Sequence, residues 1–306
     1  TEKPMNPPRE VAPYLSQRQG APSGSTGKRG YLRMVFELDA QGRSILRDLE
    51  RHTPIVAQQE LYFDEQMPSM PCVYILSSGG PNVDGDRYEH HFTVRRNAFA
   101  HISTGAATKL AEMRNDYSSL SQHFDIEEGA YLEYLPEPTI PCRHTRYVAR
   151  TRIVIEQSAT LFFSEIYLSG RRHMNDEERF AYDIISIETS AARPNRRELF
   201  VEKMIIEPEK INPNSIARMG DFELLGNCFL IAPEAISNAV YERVQPFIDR
   251  TRSLSTSVSR LPSHCGLTFR VMGNDTSEVK NQIRDLCSIV RHEVKGVKLP
   301  AEFPWR

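Results

Sequence analysis

HISTGAATKLAEM (residues 101–113), EEGAYLEYLPEPTIP (127–141) and ATLFFSEIYLSGRR (159–172) decide how the rest of this chain is read. In each, apolar residues alternate with others over a short run, and turn formers follow at once. The polar residues gather at the turns, and no nucleophile is paired with a base. The same two-residue period recurs outward on both sides. Tyr31, Arg33 and Val35 alternate with Leu32, Met34 and Phe36, Val73 and Ile75 precede Ser77, and pairs such as Phe92 with Val94 and Ile153 with Ile155 repeat it. Turn signals interrupt at short intervals: SSGGPNVDGD from Ser77, PEPTIP from Pro136, and the run from Ser190 to Arg197. A mainly β body follows, a sandwich, barrel or β-helix-like, multi-sheet solenoid of short strands. No fixed sequence repeat separates these.

The chain changes character near Pro233. PEAISNAVYERVQPFIDRTR places Ile236, Val240 and Val244 on one helical face until Pro246 ends it. A second helix is announced by the capping box Asp275 with Glu278, followed by Val279, Ile283, Leu286, Val290 and Val294, and it stops at Gly296. The expected organisation is a flexible, Pro-, Gly- and Ser-rich arm over residues 1–29 and one domain over 30–306. Within that domain, 30–231 form the β body and 232–306 the two C-terminal helices and a closing strand.

The bulk numbers exclude several classes. With 306 residues the chain can bury a sizeable core, and 40% hydrophobic with 25% charged residues is ordinary for a globular protein. A formal net charge of −2 gives no field that favours nucleic acid or an anionic membrane, and no apolar run spans a bilayer. Five scattered cysteines without a CxxC point to reduced thiols and the cytoplasm, and TEKPMNPPRE is unlike a secretory leader. GSTGKRG fails as a phosphate loop, because Pro22 and Arg29 stand at two required positions and no strand precedes it. Neither a Ser-His-Asp order nor an HExxH helix is present, so no enzymatic activity is expected.

Individual residues each carry two readings. Asp84 and Asp86, two apart in GGPNVDGD, form a hard-oxygen site or hold the turn through backbone hydrogen bonds, and the turn is the simpler reading. His90 and His91 are adjacent on a strand and face opposite ways. Cys142 and His144 share one face if the backbone is extended, a donor pair for nickel or zinc that two ligands leave incomplete. Glu165 shares a face with Phe163 and Tyr167, while Phe162, Ser164, Ile166 and Leu168 make the more apolar side; it meets solvent or lines an internal water path. Glu202 in LFVEKMIIEP is ambiguous in the same way, and Thr104, Thr108 and Lys109 have no base beside them.

An ordered set of short motifs over residues 30–306 resembles the UreD (UreH) urease accessory family. It comprises GRSILRDL at 42–49, the Cys72-x-Tyr74-x-Leu76 strand, Gly85-Asp86, Thr104-x-x-Ala107-Thr108-Lys109, the 129–136 block GAYLEYLP, Glu165, Gly170-Arg171, Glu202 and Pro304-Trp305. Asp84, Ser164 and Arg143-His144 depart from the family pattern. The resemblance implies a scaffold, not an enzyme, that binds the structural subunits of apo-urease and links them through UreF to the GTPase UreG. It holds no cofactor tightly, and nickel passes through in transit. Asp86, Thr108, Glu165 and Glu202 match polar positions of the family and are the expected lining of that passage; Cys142 and His144 are weaker candidates. The competing readings are a β-solenoid hydrolase built on acidic residues and a stand-alone nickel-binding protein.

Overall fold

A computed structural model describes residues 7–15, 27–172, 174, 176–215 and 218–301. Within the segment expected to be an arm, residues 7–15 include the single turn α1 (Ala12–Leu15). Pro304 and Trp305 lie outside the described residues.

Two hairpins start the body: β1 (Arg29–Leu38) with β2 (Ser44–His52), then β3 (Ile55–Ala57) with β4 (Cys72–Ser77). The chain then winds in coils. β5 (Arg87–Val94), β6 (Phe99–Thr104) and β7 (Thr108–Leu110) form one coil, and β8 (Ser118–Ile126), β9 (Tyr131–Leu135) and β10 (Thr139–Pro141) the next. β11 (Arg146–Ile155) and β12 (Thr160–Leu168) begin a third. Strands one coil apart pair in parallel, so that Arg87 stands beside Ser119 and Ser119 beside Val148. This is the β-helix-like arrangement expected from the short punctuated strands. It shows no sequence repeat because a coil requires only that inward and outward positions stay in register, not that the same residues recur.

A hairpin of β13 (Ile184–Ala192) and β14 (Glu198–Ile206) completes a seven-stranded sheet of order β14-β13-β11-β8-β5-β1-β2. Next come β15 (Leu224–Ile231), α2 (Glu234–Arg243), β16 (Phe247–Asp249), β17 (Leu254–Arg260), β18 (Gly266–Gly273) and α3 (Thr276–Lys295). The second sheet runs β16-β17-β18-β15-β12-β9-β6-β4-β3, with β10 and β7 beside it. Three strands therefore lie between the two helices, where the sequence suggested only helices and a closing strand. LSTSVSR of β17 is rich in serine, and its pairing to β18 rather than its hydrophobicity holds it in the sheet.

Between the sheets lies an aromatic core. Phe92 stacks toward Phe124 at 5.0 Å, Phe124 meets Phe163 edge-on at 5.7 Å, and Tyr134 lies flat on Phe163 at 5.3 Å. A second core fills the other side of the second sheet, where Phe162 and Phe269 meet Val279, Ile283, Leu286 and Val290 of α3. Each such side chain contributes roughly 1.5–3 kcal/mol by leaving water. β12 is consequently buried along its whole length on both faces, so neither face of Glu165's strand is solvated.

Buried charge ties α3 to this sheet. Arg291, fully enclosed, donates from Nε and Nη2 to the two carboxylate oxygens of Glu133, both at 2.7 Å, and from Nη1 to Asp64. Glu133 also accepts from the Tyr131 hydroxyl at 2.5 Å and lies 2.8 Å from Nδ1 of His101. Burial alone would raise the Glu133 pKa, but the Arg291 charge and its hydrogen bonds outweigh it and hold the carboxyl well below the usual range.

Candidate functional site

Along the first sheet, five adjacent strands bring one polar side chain each to the same level. His90 of β5 is opposite Gln122 of β8, Gln122 opposite Thr151 of β11, Thr151 opposite Thr189 of β13, and Thr189 opposite Glu202 of β14. All five point between the sheets, because the residues two further on or two before, Phe92, Phe124, Ile153, Ala191 and Phe200, belong to the inner core. A second row faces them: Glu165 of β12 is opposite Asn227 of β15, which is opposite Arg270 of β18. The rows meet where Arg270 Nη2 grips both oxygens of Glu202 at 2.5 and 2.6 Å. At the other end His90 and Glu165 line a cavity of about 340 Å³ together with Thr108, Tyr88, Tyr134 and Tyr167.

Some of these groups satisfy one another. Tyr134 reaches across the gap to donate to Gln122 Oε1 at 2.6 Å, and Gln122 Nε2 donates to Thr151 Oγ1 at 3.1 Å. Others have no protein partner: both ring nitrogens of His90, Glu165 Oε2, Thr189 Oγ1 and Asn227 Oδ1. Buried polar atoms are normally paired, and atoms facing a polar, roomy space are the kind that water or an ion satisfies. Burial pushes the Glu165 carboxyl up to about 8, with the negative charge of Glu202 adding to it, against the opposing hydrogen bond from Tyr167 and the charge of Arg270. Burial likewise pushes His90 down to about 3. At neutral pH these shifts favour a protonated Glu165 and a neutral His90.

The residues singled out in the sequence are distributed unevenly around these two rows and the cavity. Thr108 and Glu165 line the cavity, and Glu202 closes the far end. Asp86 stands behind the cavity wall. It accepts from Lys28 N at 2.7 Å and Val83 N at 2.9 Å, lies 3.0 Å from Lys28 Nζ, and accepts at 3.2 Å from the hydroxyl of Tyr88, which does line the cavity. Asp84 accepts from the backbone of Arg114 and Asp116, both at 3.0 Å, and so ties the glycine loop to the segment before β8, whereas Asp86, through Val83 N, holds the loop itself as a turn carboxylate does. Cys142 and His144 do not share a face. The backbone is not extended there: β10 ends at Pro141, His144 adopts φ 56°, and its Nδ1 lies 3.0 Å from Asp183. Cys142 instead faces an outer groove beside Arg171 and Glu178, and burial raises its thiol pKa.

Sequence reading missed His90, Gln122, Thr151, Thr189, Asn227 and Arg270 as members of one row. The available signal was a polar residue at the inward position of each of several consecutive strands, as in EHHFTV and LSQHFDI. Only the register, which the sequence does not state, aligns them.

The fold is a coiled, mainly β body that carries rows of polar side chains between its two sheets, the architecture of a multi-sheet β protein. The profile described as UreD urease accessory protein matches residues 28–306. The urease accessory protein UreD of Yersinia enterocolitica serotype O:8 is 39% identical over 305 residues, covering 96% of this chain and 93% of the relative. Urease accessory protein UreD 2 of Brucella suis biovar 1 is 37% identical over 297 residues, covering 97% and 98%. The chain belongs to the UreD urease accessory family, and its role lies in urease maturation. No helix among the described residues is long and apolar enough to cross a membrane.

Proposed function

We propose that this protein is a non-catalytic scaffold in urease maturation, a single body over residues 30–306 that conducts hydrated nickel between partners in the cytoplasm. One end of the route would meet apo-urease and the other UreF, with UreG attached through UreF. The observation that carries this reading is the row His90, Gln122, Thr151, Thr189 and Glu202 facing Glu165 and Asn227, several of whose polar atoms have no protein partner.

A dication entering a low-dielectric interior costs many kcal/mol unless oxygen and nitrogen groups replace its lost water. Scattered single donors offset that cost without forming a cage, so each stop is weak enough to leave. Glu165 suits such a step because it is neutral until the cation approaches, and a dication beside it favours the carboxylate and expels its proton. Thr108 offers a hydroxyl at the cavity, and Glu202 a carboxylate already balanced by Arg270. Asp86 fixes Tyr88 at the wall.

The test is the pair Glu165→Ala with Glu202→Ala, expressed with urease and its accessory proteins. Complex assembly, read by co-purification, is expected to survive, while nickel per urease active site falls severalfold. Normal nickel content in the assembled double variant discards the route.

A further inference from the structure

The outer face of the first sheet, away from the route, carries a group of side chains that the proposed function does not use. Glu89 and His91, two apart on β5, project outward on one face, and His123 of β8 stands at the register of His91. One donor atom from each of the three lies within 4.8 Å of the other two. All three are half-buried. The His91 and His123 rings stack at 4.6 Å with 8° between their planes, and His91 Nε2 is 2.5 Å from Glu89 Oε1. Glu89 and His123 also line a groove of about 600 Å³ together with Pro7, Pro8 and Leu15.

We propose that Glu89, His91 and His123 form a surface site for a borderline divalent transition cation such as zinc, cobalt or nickel, separate from the internal route. Two imidazoles and one carboxylate are a donor set for these ions and not for magnesium or calcium, which prefer all-oxygen shells. The cation takes the place of the hydrogen between Glu89 Oε1 and His91 Nε2, and the neutral ring then carries its single proton on Nδ1. With metal–nitrogen bonds of about 2.1 Å, donors in a tetrahedral shell stand roughly 3.4 Å apart, so the Glu89–His91 contact opens from 2.5 Å while the separation of the third donor, within 4.8 Å, closes toward that value. Turning one imidazole about its Cβ–Cγ bond supplies that movement and makes the lone pairs of the stacked rings converge. Half-burial allows the rotation. Two arginines flank the site at this register, Arg33 opposite His91 and the exposed Arg152 opposite His123; Arg33 is occupied by Asp48 at 2.5 Å and Glu50 at 3.5 Å, which limits its repulsion of the incoming charge. Three protein ligands leave the remaining positions to water or to a partner's side chain.

The full chain titrated with Co²⁺ at neutral pH tests the site, read by visible absorption and equilibrium dialysis. The wild type is expected to bind one equivalent that is weakened roughly tenfold or more by His91→Ala with His123→Ala, and to a similar degree by Glu89→Gln alone. These side chains lie on the outer face, so the variants should keep the wild-type thermal melt. Glu165→Gln with Glu202→Gln serves as the control for the internal route and should retain the full cobalt signal. Unchanged binding in the histidine double variant, or a signal lost only in the route control, overturns the surface site. The route itself stands or falls on nickel per urease, a separate measurement.

Discussion

Glu165 shows how far one residue's meaning depends on what covers its strand. The sequence marked it correctly as a carboxyl inside an apolar run, yet alternation alone left one face of that run open to solvent. A second core under α3 covers the other face, so the residue is enclosed on both sides. The consequence is measurable. With the folded pKa raised to about 8 and the unfolded group near its ordinary value, the folded state binds more protons between those limits. Stability from this group is then greatest in mild acid and declines as pH rises toward 8, by up to about 1.4 kcal/mol per pH unit. Glu165→Gln should abolish that slope, so that urea midpoints of variant and wild type diverge steadily from pH 5 to pH 8, with the variant the more stable at the upper end. Parallel curves for the two proteins would show that the carboxyl is already ionised in the folded state.

Among the elements, α3 was the most legible and β16–β18 the least. The spacing of Val279, Ile283, Leu286 and Val290, with a cap at Asp275 and a left-handed Gly296 at φ 74°, specifies the helix from local chemistry. Asp275 accepts from Glu278 N at 3.0 Å as the capping pattern requires, and Asp275→Ala should cost about 1 kcal/mol of unfolding free energy. The anchor that holds α3 in place was invisible, because Arg291 and Glu133 are distant in sequence and each alone reads as a surface charge. Arg291→Met leaves Glu133 and Asp64 enclosed without their cation and should destabilise by roughly 3–5 kcal/mol in urea titrations. The carboxyl of Glu133 is held low in the folded protein, so its contribution is present at neutral pH and is lost only as pH falls into strong acid. β17 escaped notice because strand identity there comes from partners rather than composition.

For the whole molecule, winding was legible as a class and illegible as a path. Short strands and frequent turns pointed to a multi-sheet body, and the parallel coils fit that description. The positions that build the polar row are His, Gln, Thr, Thr and Glu, which share polarity but not identity, so no repeat search would align them. Both cores share the second sheet, and removal of residues 276–306 would bare the apolar face formed by Phe162, Leu230 and Phe269. Such a truncated chain should partition into the pellet on expression, whereas the Asp275→Ala variant should remain in the supernatant.

A row of groups supplied one per strand is a ruler whose unit is the strand spacing. Neighbouring strands stand about 4.8 Å apart, so five residues in line span roughly 19 Å, a length fixed by backbone hydrogen bonds and not by the side chains it carries. Residues added at a turn would leave the graduations untouched, while a single residue added inside β8 or β11 would rotate every later side chain of that strand to the opposite surface and break the line at one mark.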